Sequence, residues 1–141
     1  MAMINPYLNF MGRTEEAFNF YRSVFGGEFT CLQRIRDIRN IPGGHCMREC
    51  DKEKILFIAL PIGKGNVLMG TDALESMGHC IRTGNNFSIS VQAEGEAEAK
   101  HLFGKLSCGG EIIMPLDKAF WGAYFGMIID PFGIQWLIMY G

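Results

Sequence analysis

Trp121-Gly122-Ala123-Tyr124-Phe125-Gly126-Met127-Ile128-Ile129-Asp130-Pro131-Phe132-Gly133-Ile134-Gln135-Trp136 is the stretch whose reading decides the fold. Two apolar runs flank Asp130-Pro131-Phe132-Gly133, whose Asp, Pro and Gly are turn formers. The spacing predicts a β-hairpin closed by a four-residue loop. Counting outward, Ile129 is expected opposite Ile134, Ile128 opposite Gln135, Gly126 opposite Leu137 and Tyr124 opposite Met139. Alternation then puts Tyr124, Gly126, Ile128, Gln135, Leu137 and Met139 on one face. Gly122 and Gly126 remove bulk, which suits a surface that something approaches closely.

Upstream, the order of elements is stated twice. Ile4, Pro6, Leu8 and Phe10 alternate with Asn5, Tyr7 and Asn9, the pattern of a half-buried strand. A helix is expected from Thr14, read as its N-cap, with Ala17, Phe20, Tyr21 and Val24 as the apolar stripe. Gly26-Gly27 stops it, and a strand over Glu28 to Arg36 follows. Ile55 to Leu60 and Asn66 to Gly70 then form a hairpin around Ile62-Gly63-Lys64-Gly65.

The second half begins with Phe87, Ile89, Val91 and Ala93 alternating with Ser88, Ser90 and Gln92. A helix over Glu96 to Leu106 carries Ala99, Leu102, Phe103 and Leu106, and ends at Gly109-Gly110. An offset of 83 maps Ile4 on Phe87, Leu8 on Val91, Phe20 on Phe103 and Gly26 on Gly109. Later the offset becomes 69, placing Asn66 on Gln135 and Leu68 on Leu137. The repeat predicts an α+β fold of two βαβββ modules, about 1–75 and 84–141, joined by a linker over 76–83. Each helix covers one sheet face, which leaves Asn5, Tyr7, Asn9, Ser88, Ser90 and Gln92 on the opposite faces.

The composition is globular, with 48% hydrophobic and 20% charged residues and a net charge of −2. That charge offers no footprint for nucleic acid or an anionic membrane, and no apolar run is long enough to span a bilayer. The N-terminus lacks a signal-peptide pattern, and five irregularly spaced cysteines fit free thiols, so the expected compartment is the cytoplasm.

Asn5-Pro6-Tyr7-Leu8, Glu15-Glu16-Ala17, Phe20-Tyr21, Phe25-Gly26-Gly27-Glu28, Leu68-Met69-Gly70-Thr71-Asp72 and the segments Trp121-Gly122 and Asp130 to Trp136 occur in that order. Together they resemble the vicinal oxygen chelate superfamily of glyoxalase I, extradiol dioxygenases and bleomycin-resistance proteins. More closely, the chain resembles the PhnB-like branch, which carries a demethylubiquinone methyltransferase-like domain. The resemblance implies mixed sheets curved round a central cavity, with helices outside, in a homodimer. It also implies metal ligands on four strands, near Asn5 or Tyr7, Leu68, Asn86 or Ser88, and Leu137. A histidine common in the third strand of PhnB-like proteins is replaced here by Phe57.

Leucines and neutral amides or hydroxyls do not hold a divalent metal tightly, so no metal and no cofactor are expected. His45, Cys46 and Cys50 in the loop from Asp37 to Lys54, and His79-Cys80 in the linker, match no standard zinc spacing. His101 is expected on the outer helix surface, and Arg34 and Arg36 are candidates for an anionic ligand at the cavity mouth. Gly63-Lys64-Gly65 opens no helix and is no methyl-donor loop. The expected function is metal-free binding of a small, partly apolar organic molecule. The expected ligand contacts are Asn5, Tyr7, Phe57, Ser88, Ser90, Trp121, Tyr124 and Gln135, with Trp121 turned inward only if Gly122 interrupts the alternation. The alternatives are a metal-dependent lyase, isomerase or dioxygenase of the same superfamily, and a dimeric interaction protein whose cavity is filled by its own side chains.

Overall fold

The computed structural model describes residues 2–37 and 49–141, in two compact units that divide between Arg82 and Thr83. In the first unit, β1 (Tyr7–Phe10) leads into α1 (Thr14–Phe25), β2 (Cys31–Arg34), β3 (Ile55–Ile62) and β4 (Asn66–Asp72). The sheet order is β1-β4-β3-β2, with β1 parallel to β4 and the other pairs antiparallel. The second unit repeats this with β5 (Ile89–Gln92), α2 (Glu96–Ser107), β6 (Glu111–Lys118), β7 (Tyr124–Ile129) and β8 (Gln135–Tyr140). Its order, β5-β8-β7-β6, again has only the first pair parallel. The result is the α+β pair of βαβββ modules that the repeat predicts, each an open, mixed, four-stranded sheet carrying one helix.

In the first unit α1 buries Thr14, Ala17, Phe18, Tyr21 and Val24, a stripe at helical spacing. Phe18 replaces the expected Phe20 at its centre, because a glycine lies beneath it. A Cβ on Gly70 would meet the Phe18 ring at 2.6 Å, so the bare backbone of β4 is the socket for that ring. Leu8, Phe10, Ile58, Leu60 and Leu68 complete this helix-side core.

The start of α1 is held differently from expectation. Thr14 is inside the helix and makes no cap; the Thr14 N–H donates instead to Asp72 Oδ1 at 3.0 Å. Asp72 Oδ2 accepts from the Ile55 N–H at 2.8 Å, so one buried carboxylate joins α1, β3 and β4. An acidic group at a helix N-terminus also suits the helix dipole.

In the second unit the helix-side core consists of Ala99, Leu102 and Leu106 against Ile128, Trp136 and Ile138. The β7–β8 hairpin corrects the expected register by one residue: Ile129 faces Gln135, Ile128 Trp136, Gly126 Ile138 and Tyr124 Tyr140. The loop is therefore five residues, Asp130 to Ile134, closed by Asp130 N–H to the Ile134 carbonyl at 2.9 Å. The cause is Asp130, whose Oδ1 accepts from the N–H groups of Phe132 (2.8 Å) and Ile134 (3.0 Å). Its Oδ2 accepts from Trp136 Nε1 at 2.9 Å. That last bond draws Trp136 to the buried side of the sheet, and a one-residue slip exchanges the two faces of a strand.

Two assignments move with it. Gly126 lies under α2, where an added Cβ would meet Phe103 at 2.6 Å and the Leu116 backbone at 2.9 Å. The close approach inferred from this glycine is thus made by the protein's own helix. Tyr124 shares this face rather than the face of Gln135, Leu137 and Met139. In the first unit Met69 pairs with Tyr7, and in the second Leu137 pairs with Ser90. Because Tyr7 and Ser90 correspond at offset 83, β4 and β8 correspond at 68 rather than 69. Leu68 accordingly belongs with Trp136 on the helix side and is 3% exposed.

Candidate functional site

Each sheet has a second face that its helix does not cover. On the first, Tyr7 and Asn9 from β1 stand beside Met69 and Thr71 from β4. Phe57 from β3 joins them, its ring 6.3 Å from that of Tyr7 at an interplanar angle of 25°. The two rings make an aromatic platform on the side expected for both residues. Asn5, just before β1, is committed locally: its Oδ1 accepts from the Val67 N–H at 3.0 Å. Thr71, absent from the candidate residues, donates its hydroxyl to the Leu56 carbonyl at 2.8 Å. Its alternation with Gly70 would have placed it there once the register was known.

On the second sheet, Ser90 and Gln92 lie beside Leu137 and Met139, with Phe125 and Met127 from β7 on the same face. Gln135 is 8% exposed and held at both ends: Oε1 accepts from Ser88 Oγ at 3.3 Å, and Nε2 donates to the Gly84 carbonyl at 3.2 Å. Trp121 also belongs here. Gly122 has φ +96°, the left-handed region, and interrupts the alternation, so the Trp121 ring packs 5.5 Å from Phe125. Phe125 was missed because the slipped register put it on the helix side. The open faces thus gather Tyr7 with Phe57, and Ser88 and Ser90 with Gln135 and Trp121, while Tyr124 falls outside both groups.

The charged candidates are engaged elsewhere. Arg34 makes a two-pronged pair with Glu15 of α1, its Nη1 3.1 Å from Oε1, and donates to the Glu53 carbonyl at 2.8 Å. The hydrogen bond from Arg34 holds the Glu15 carboxyl below its usual range. Arg36 pairs with Glu53 at 2.8 Å. His79 Nδ1 accepts from the Leu74 N–H at 2.9 Å and so closes the turn after β4. His101 and Cys80 are exposed, as is Cys50, whereas His45 and Cys46 lie outside the described residues.

The open-face side chains of β1, β4, β5 and β8 are Tyr7, Asn9, Val67, Met69, Thr71, Ser90, Gln92, Gln135, Leu137 and Met139. None is a carboxylate, imidazole or thiolate, so this donor set does not fit a tightly held divalent metal. Among the described residues no three His, Cys, Asp or Glu side chains form a group that could hold one. The β3–β4 turn at Gly63 and Gly65 joins two antiparallel strands and opens no helix, which does not fit the nucleotide-type loop of a methyl donor.

The family model for 3-demethylubiquinone-9 3-methyltransferase matches residues 2–139. The chain belongs to this family, and its fold is that of the glyoxalase and bleomycin-resistance group. Protein PA1353 from Pseudomonas aeruginosa is 32% identical with a TM-score of 0.86, over 99% of this chain and 98% of that one. A putative 3-demethylubiquinone-9 3-methyltransferase, PhnB protein, from Bacillus cereus is 28% identical with a TM-score of 0.77, over 99% and 100%. Protein YjdN of Escherichia coli K12 is 26% identical over 96% of this chain and 92% of its own. The fold alone extends to a glyoxalase/bleomycin resistance/dioxygenase family enzyme from Burkholderia phytofirmans and to the fosfomycin resistance protein FosX from Listeria monocytogenes.

Proposed function

We propose that this protein binds a small, partly apolar organic molecule without a metal, as a cytoplasmic homodimer, with the open face of each sheet offering a binding surface. The observation that carries this is the chemistry of those faces. The first sheet offers flat aromatic area at Tyr7 and Phe57, and the second offers Trp121 with uncharged hydrogen-bonding groups at Ser88, Ser90 and Gln135. Ligand sites commonly have this mixture of apolar lining and a few placed polar groups. Gln135 orients such a molecule because its amide is already fixed by Ser88 and Gly84, so ordering it costs little on binding. Among the described residues, the methyltransferase in the family's name finds no donor loop, and a divalent metal finds no matching donor set.

The test is native mass spectrometry of gently purified protein together with metal analysis. An organic mass released on denaturation, weakened in Phe57→Ala and Gln135→Ala, is the expected result. Stoichiometric Zn, Ni, Mn or Fe in protein purified without added metal would overturn the metal-free assignment. Retention of the organic mass in both variants would overturn the site.

A further inference from the structure

Strand β4 ends at Asp72, and the chain leaves it through Ala73 and Leu74, which are 7% and 2% exposed. A single 3-10 turn over Glu75–Met77 follows and stops at Gly78, whose φ of +80° lies in the left-handed region. The Leu74 carbonyl accepts from the N–H groups of Met77 and His79, both at 3.1 Å. The Leu74 N–H goes to a side chain instead, donating to His79 Nδ1 at 2.9 Å. Leu74 and His79 therefore hold each other by two hydrogen bonds, one of which depends on an imidazole. The donor belongs to a buried residue, whereas the His79 ring belongs to an exposed one.

A ring nitrogen that accepts a hydrogen bond carries no proton, so the closed turn requires a neutral imidazole with its proton on Nε2. In the imidazolium form both nitrogens are donors, and an Nδ1–H would face the Leu74 N–H. The exposed ring then turns out to water, and the N–H of a buried residue loses its acceptor. The charged groups on the elements joined to this turn are few among the described residues. Glu75 lies within it, and Arg82 follows it on the way to the second unit. Asp51 accepts from Ser76 Oγ and pairs with Lys54 Nζ at 3.0 Å, on the 3-10 turn that also carries Glu49, Lys52 and Glu53. Asp72 has its oxygens engaged by the Thr14 and Ile55 N–H groups.

We propose that His79 is a pH-sensitive latch on the segment from Leu74 to Arg82, where the chain passes from one unit to the other. The neutral ring closes the turn and protonation opens it, which leaves the Ser76–Asp51 bond to hold the segment. The latch is thus shut above the histidine range and released as pH falls through it.

Exchange of the Leu74 amide, followed by two-dimensional NMR and expressed relative to an unstructured peptide at the same pH, reads the latch directly. Between about pH 8 and about pH 5, where histidine is the side chain that changes charge, Leu74 protection should fall roughly tenfold or more while the amides of β3 and β4 keep theirs. His79→Asn offers an acceptor oxygen at every pH and should keep Leu74 protected throughout; His79→Ala should leave it weakly protected at both ends of the range. Both variants retain His45 and His101, so those titrations are common to all three proteins. Ring nitrogen shifts at the upper pH should place the His79 proton on Nε2. Wild-type protection independent of pH, the same fall in His79→Asn, full protection in His79→Ala, or a proton on Nδ1 would overturn the proposal.

Discussion

Asp130 and Asp72 are buried carboxylates whose hydrogen bonds go to the protein itself, and both decide where other side chains point. Asp130 serves two backbone N–H groups and the Trp136 indole; Asp72 serves the first turn of α1 and the start of β3. Removing an acceptor from a buried donor costs about 1–3 kcal/mol, more than the net value of the bond, because the donor is left without water. Asp130→Ala strands the indole N–H of a residue that is 1% exposed. The expected loss is about 3 kcal/mol in urea unfolding, with Asp130→Asn milder because one carbonyl acceptor survives. An unchanged unfolding midpoint for Asp130→Ala would mean that the turn is set by Pro131 and Gly133 alone.

At the scale of elements, each helix is seated on its sheet by a phenylalanine over a glycine. Gly70→Ala forces its methyl into the Phe18 ring, with the Leu8 carbonyl 3.2 Å away on the other side. The expected cost is about 1–3 kcal/mol. The double variant Gly70→Ala/Phe18→Leu should recover part of it, a coupling read directly from a double-mutant cycle. The Arg34–Glu15 pair ties α1 to β2 and has a pH signature. Because the folded carboxyl lies below its ordinary value of 4.5, its contribution is present above that value and is lost as pH falls through the folded one. Glu15 is 48% exposed, so the amount is less than about 1 kcal/mol. Wild type should therefore exceed Glu15→Gln in stability at neutral pH, and the gap should close in acid; a gap independent of pH would exclude the ion pair as its source.

For the whole molecule, strand β6 leaves Ile112, Ile113 and Met114 between 46% and 52% exposed at the sheet edge. An apolar edge of this kind is a pairing surface unless it is covered. Light scattering at micromolar concentration should give twice the 15.8 kDa chain mass, and Ile113→Lys/Met114→Lys should lower it. A wild-type mass of one chain would refute the homodimer.

The repeat, the element types and the family were legible in the amino-acid sequence because each rests on local patterns: alternation, helical spacing, and glycine pairs after helices. So was the side of Tyr7, Ser90 and Gln135, since a polar residue alternating with apolar neighbours marks a strand's outer face; Phe57, between Leu56 and Ile58, carries no such signal. Three matters were decided only by tertiary structure. The α1 cap comes from Asp72, 58 residues beyond the N–H it accepts. The choice of Phe18 over Phe20 follows from a glycine on another strand. The face of Tyr124 follows from a loop of five residues rather than four, set by the reach of Asp130 to Trp136. Alternation is blind to that choice: it groups residues within a strand, and a one-residue slip leaves the grouping intact while exchanging the face that is buried.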